Sequence, residues 1–266
     1  MVLVPLSIES LKQFFDETAI KVIKYFISKS IFAQPETLEG QSDLPIQVPK
    51  EHIEQWAVQA LGVTPVGSGS YPVDVIKADE WGADVKMVSC KIEDNGDLLD
   101  RDSGETSLAQ KFAGTGSELD DLFNKESHEE ILDGWSKIMQ EKIQAVKDKK
   151  NLHHIYYFII LRAGLKFYLC GLEVNTQNFD DIEVLKTSGE SVWASNFIDE
   201  KYGSVKVYKA KKRMELRLRP SNWLKDDLLI EFQVTDNLMS KNIREIINDE
   251  EKFNLYKDEI TKEIFN

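Results

Sequence analysis

Tyr71-Pro72-Val73-Asp74-Val75-Ile76 and, after a six-residue connection, Ala83-Asp84-Val85-Lys86-Met87-Val88-Ser89-Cys90 form the stretch on which the fold turns. Both runs alternate apolar residues in the manner of strands. The connection Lys77 to Gly82 carries polar and turn-forming residues, so a strand, a turn and a strand are expected. Asp74 then lies on the first strand and Asp84 on the second, where the turn can bring the two carboxylates side by side. Lys86 is two residues beyond Asp84 and shares its strand face. Acids and a lysine among apolar strand residues are costly unless a metal or an ion pair compensates them.

Outward from this hairpin, strand and helix signals interleave. Upstream, Ser7 to Phe32 places apolar residues at helical spacing, and a polar linker with Gln34, Pro35, Gly40 and Pro45 follows. Pro49 to Leu61 opens with proline and acids and stops at Gly62, the pattern of a second helix. Gly67-Ser68-Gly69-Ser70 approaches the hairpin. Downstream, Asp94 to Glu129 is polar and turn-rich, with room for one or two short helices. Ser127 and Glu130 form a capping-box pattern at the start of a periodic run to Lys150. His154 to Leu161 and Leu165 to Val174 flank Ala163-Gly164 as a buried hairpin. Val205 to Leu218 alternates, with Met214, Leu216 and Leu218 on one face and Arg213, Glu215, Arg217 and Arg219 on the other. Leu228 to Val234 adds a strand and Ile243 to Ile264 a helical tail. These patterns predict an α/β (α+β) fold, a central mixed sheet flanked by helices. Three segments are expected: an N-terminal helical arm and linker (1–47), a core (48–174), and a C-terminal region (175–266) that completes the sheet, all plausibly within one compact domain.

Composition bounds the partners. The 266 residues are 42% apolar and include 13 Phe, 8 Tyr and 5 Trp, enough for a substantial core. Cys90 and Cys170 sit in apolar runs and read as packed thiols, so a reducing cytoplasm is expected. No signal-peptide pattern or membrane-spanning run occurs. The formal net charge is −13, yet it is unevenly spread. Lys91 to Asp133 carries 13 acidic against four basic residues, and Lys201 to Arg219 carries eight basic residues against Glu215 alone. The second tract makes Lys206, Lys209, Lys211, Lys212, Arg213, Arg217 and Arg219 candidates for contacts with a phosphate backbone or base edges, although a solvated strand face is the plainer use. Ser221-Asn222-Trp223 follows directly and could add polar contacts.

Two adjacent carboxylates and a carbonyl suit a hard cation such as Mg²⁺, and a neighbouring ammonium suits phosphodiester hydrolysis. An acid-x-Lys triplet alone says little, since Asp148, Asp199 and Glu250 begin others; only Asp84-Val85-Lys86 sits in an apolar strand. His52, His128, His153 and His154 lack partners at zinc-ligand spacing. No P-loop, Rossmann or nucleophile-elbow pattern occurs, so no nucleotide cofactor is expected.

Pro72-Val73-Asp74 with Asp84-Val85-Lys86, after a helix bearing Glu51 and Glu54, resembles the type II restriction endonucleases of the PD-(D/E)xK nuclease superfamily. The likeness rests on about Lys50 to Lys91. Proline stands two residues before the first acid rather than one, and the second acid is Asp where Glu is commoner. The resemblance implies Mg²⁺ held by Asp74, Asp84 and the Val85 carbonyl, with Lys86 positioning the water. Glu54 would assist, preferred over Glu51 because Trp56, Ala57 and Ala60 surround it as on a core face. It further implies double-stranded DNA as substrate, cut at a short specific sequence by a homodimer. Two alternatives stay open: a repair or junction-resolving nuclease of the same fold, and a non-catalytic nucleic-acid-binding module in which the cluster is a structural ion pair.

Overall fold

The computed structural model describes residues 1–36, 38, 40–42, 47–66, 72–113, 115–235 and 242–265. The Gly67 to Ser70 approach, Tyr71, Pro45 and the Glu51 side chain lie outside that set. Twelve strands are β1 (Leu3–Pro5), β2 (Thr64–Pro65), β3 (Val75–Lys77), β4 (Trp81–Ser89), β5 (Thr106–Gln110), β6 (His154–Ala163), β7 (Lys166–Val174), β8 (Glu183–Ser188), β9 (Ser191–Ser195), β10 (Gly203–Tyr208), β11 (Arg213–Leu218) and β12 (Ile230–Gln233). The helices are α1 (Ile8–Phe14), α2 (Glu17–Phe32), α3 (Ile53–Leu61), α4 (Leu119–Asn124), α5 (His128–Lys150), α6 (Pro220–Lys225), α7 (Ile243–Ile247) and α8 (Glu250–Phe265).

A seven-stranded mixed sheet runs β1-β7-β6-β4-β3-β2, and β12 also pairs with β7. Its axis is the parallel pair β4/β6, in register from Trp81 opposite His154 to Ser89 opposite Arg162. β6 reads as an unbroken apolar run because both of its faces are buried. Ile155, Tyr157, Ile159 and Leu161 pack on one side with α5, while Tyr156, Phe158 and Ile160 pack on the other with α1, α2 and α3. The crossover from β4 to β6 contains β5, α4 and α5, the long connection that a parallel pair requires.

Several expectations are corrected. The first helical run is two helices, because the Asp16 carboxylate accepts the Ala19 N–H (2.8 Å) and starts a second one. Both helices pack into the core, where Leu11, Ile23, Ile27 and Ile31 are all buried. The expected strand from Tyr71 begins only at Val75. Ser127 makes no side-chain cap for α5. Val205 to Leu218 is a hairpin, and the C-terminal region completes the main sheet only through β12. Its other strands build a second, five-stranded sheet, β5-β11-β10-β9-β8, with β5 contributed by the stretch expected to be a loop. Val192, Val205, Val207, Met214, Leu216 and Leu218 turn its inner face into the core shared with α5. Among the described residues no helix is long and apolar enough to cross a membrane.

Candidate active site

β3 and β4 pair only as far as Val75 opposite Ala83. One residue earlier, the Asp74 N–H still donates to the Ala83 carbonyl (2.8 Å), and the ladder then ends. The Asp74 side chain takes over: its Oδ2 accepts the Val85 N–H at 2.8 Å. A carboxylate thus replaces the missing strand neighbour and is pinned beside β4. Strand alternation sends Asp84 and Lys86 to the same side of β4 as the buried Val88. Lys86 Nζ forms an ion pair with Asp84 Oδ1 and lies 3.9 Å from Asp74 Oδ2. Asp74, Asp84 and Lys86 therefore come together as the spacing predicts.

The electrostatics follow from burial. Asp84 is only 8% exposed. Desolvation pushes its carboxyl well above the ordinary range; Lys86 opposes this and Asp74 adds to it. Burial alone would lower the Lys86 ammonium, but Asp84, Asp74 and Glu54 more than offset it and raise it. Asp84 Oδ1 is buried and accepts no hydrogen bond of good geometry, despite the nearby Lys86 charge. That oxygen is an acceptor whose one neighbouring donor group is the Lys86 ammonium.

Glu54 occupies the first turn of α3 and is exposed, contrary to the core-face expectation. Its carboxyl is raised by partial desolvation and then by Asp74, with Lys86 opposing, so it lies within electrostatic reach of the cluster. The sequence reading missed Tyr157. It stands opposite Asp84 in the β4/β6 register, is 2% exposed, and has its phenol raised by burial and by the charges of Asp84 and Asp74. Only the cross-strand register reveals it.

Two hard carboxylates, one of them buried, and the neighbouring Val85 carbonyl fit a divalent cation that binds oxygen. Among the described residues no three His, Cys, Asp or Glu side chains converge as a metal cluster, so the remaining coordination would fall to the carbonyl, water or substrate. Around this site, acids (Asp74, Asp84, Glu54) outnumber the single ammonium.

The basic tract divides. Glu105, directly before β5, binds Lys211, Arg217 and the Tyr208 hydroxyl, and Arg217 Nε donates to it at 2.9 Å. Burial resists its ionisation, but these partners and Glu215 hold the Glu105 carboxyl far below its usual range. Lys212 pairs with Asp120 (2.7 Å), Arg219 with Asp102 (3.5 Å), and Lys209 donates to Asn124 (2.7 Å). Ser221 and Asn222 are likewise used internally, on Asp100 and the Lys201 carbonyl, and Trp223 is buried. The acidic tract is thus the counter-charge of much of the basic one. Lys206 and Arg213 have no ion pair among the described residues. No protein-family model, curated protein or solved structure matches the chain.

Proposed function

We propose that the chain is a Mg²⁺-dependent type II endonuclease with the restriction-endonuclease-like arrangement, cutting double-stranded DNA at a short specific sequence as a homodimer in the cytoplasm. The observation that carries this reading is the convergence of Asp74, Asp84 and Lys86 beside β4, with the Asp84 carboxylate buried and charged groups on both sides of it. Asp74, Asp84 and the Val85 carbonyl would hold Mg²⁺. When bound, the ion would neutralise charge on the phosphodiester and make the attacking water more acidic. Lys86, fixed by its two carboxylate neighbours yet 27% exposed, presents an ammonium that orients that water and offsets charge on the phosphate. Tyr157 stands opposite Asp84 on the neighbouring strand, buried and close enough to feel the charge of both carboxylates. Glu54, exposed at the rim, is the carboxylate free to move toward water or the ion.

A second reading, a non-catalytic module with a structural ion pair, is favoured by the direct Lys86–Asp84 contact. Incubation with bacteriophage DNA of known sequence, with Mg²⁺ or EDTA, separates the two. Discrete Mg²⁺-dependent fragments are expected, a smear would indicate a repair-type or less selective nuclease, and intact DNA would overturn the catalytic reading. Asp84→Ala is expected to abolish cutting while leaving DNA binding nearly intact; normal cutting by this variant would remove the site assignment.

A further inference from the structure

The second sheet shows solvent a face that the candidate active site does not use. Strand register sets Lys186, Trp193 and Lys206 side by side across β8, β9 and β10, and Tyr208 lies two residues from Lys206 on the same side of β10. Lys206 Nζ stands 4.1 Å from the ring centre of Trp193 and 4.1 Å from that of Tyr208. Lys186 Nζ stands 4.8 Å from the same Trp193 ring. Arg213 on β11 is paired in register with Tyr208 and is exposed. Lys186, Lys206 and Arg213 have no carboxylate in salt-bridge contact among the described residues, whereas Lys211, Lys212, Arg217 and Arg219 on the same hairpin all do.

This division is physically unusual. In a chain of net charge −13, Lys186, Lys206 and Arg213 lie on one sheet face with no carboxylate in salt-bridge contact among the described residues, although Glu215 stands opposite Lys206 in the β10/β11 register. Two of them are held over an aromatic ring, which limits the rotamer entropy they would lose on meeting an anion. Desolvation and the neighbouring Arg217, Lys211 and Lys186 charges lower the Lys206 ammonium despite the opposing Glu105 carboxylate, so added negative charge would relieve the crowding. Cations fixed on neighbouring strands of one face complement a regular polyanion. The ring faces, already occupied by ammoniums, are poorly disposed to stack bases.

We propose that the outer face of β8–β11, through Lys186, Lys206 and Arg213 with Trp193 and Tyr208 as their supports, grips the sugar-phosphate backbone of duplex DNA. The inference rests on the nuclease reading for its ligand and adds a contact surface remote in sequence from the Asp74, Asp84 and Lys86 cluster. Lys186 and the supporting Trp193 fall outside the basic tract, and no spacing in the sequence joins them to it.

The test is a salt titration of duplex DNA binding, read by fluorescence anisotropy without Mg²⁺, for the full chain and for Lys186→Gln/Lys206→Gln. Each phosphate contact contributes about 0.9 to the slope of log K against log salt. The double variant is expected to flatten the slope by nearly two and weaken binding at low salt, with an unchanged melting temperature. Lys137→Gln/Lys142→Gln, the same charge change on exposed positions of α5, is expected to keep the slope. DNA binding by the full chain with equal slopes in both double variants would overturn the surface and leave the nuclease reading standing. No DNA binding by the full chain would overturn both. A preference for heparin or RNA over duplex DNA, lost in Lys186→Gln/Lys206→Gln, would overturn the assignment to DNA.

Discussion

Burying the Asp84 carboxylate is costly, and its cost has a measurable sign. The folded carboxyl is raised above its unfolded value, so the native state binds a proton more tightly. Stability of the metal-free protein is therefore expected to fall as pH rises from the unfolded carboxylate value, about 3.9, through the folded one. Asp84→Asn should remove that decline and be at least as stable as the parent at neutral pH in EDTA. A steeper decline in the variant would mean that Asp84 is stabilised as an anion. Lys86→Met acts in the opposite direction, because it leaves Asp84 without its cation. Chemical denaturation is expected to show a loss of about 1–3 kcal/mol at pH 8, shrinking in mild acid where Asp84 protonates. Glu105 shows the reverse linkage. Against its burial, its carboxyl is depressed by Glu215, Lys211, Tyr208 and Arg217, so its contribution is present above about pH 4.3 and lost as pH falls through the folded value. Glu105→Gln should cost roughly 1–3 kcal/mol at neutral pH and blunt acid unfolding.

Among the elements, the β10/β11 hairpin has the least tolerance. A Cβ at Gly203 would lie 2.6 Å from the Arg217 carbonyl oxygen on the facing strand, a contact that only backbone movement relieves. Gly203→Ala is expected to cost about 1–3 kcal/mol in urea denaturation and to speed amide exchange in β11; a stability within error of the parent would contradict the close strand approach. This sheet was also the hardest to read from sequence. β6 and β7 announced themselves because burial on two faces gives long apolar runs, and β4 because its few charges interrupt such a run. β8, Glu183–Ser188, has mostly exposed residues and little apolar pattern, while β5, Thr106–Gln110, sits in an acidic tract and is short. Their pairing comes from partners roughly 100 residues away for β5, which no local pattern encodes. The same limit divides the candidate site. Asp74, Asp84 and Lys86 were legible because they lie on one hairpin, whereas Tyr157 joins through a parallel strand after the long crossover. The basic tract was legible as charge, but its neutralisation by Glu105, Asp102 and Asp120 was not.

For the whole molecule, charge and stoichiometry set the remaining constraint. The acidic and basic tracts cancel largely against each other, so much of the basic hairpin's charge is used inside the molecule; what remains positive there is local and fixed. One chain carries one Asp74, Asp84 and Lys86 cluster, and one such cluster hydrolyses one phosphodiester at a time. Cutting both strands of a duplex within a single encounter then requires two clusters related by the two-fold symmetry of the DNA. On the proposed reading, light scattering should give twice the 30.5 kDa chain mass, at least when DNA is present. Supercoiled plasmid should pass directly to the linear form, with little nicked circle at intermediate times. A mixed dimer with Asp84→Ala in one subunit should convert plasmid to nicked circle and stop, since its remaining cluster reaches only one strand. Steady accumulation of nicked circle by the unmodified protein, with a mass of one chain on DNA, would show that each copy works alone and that the second strand waits for a second encounter.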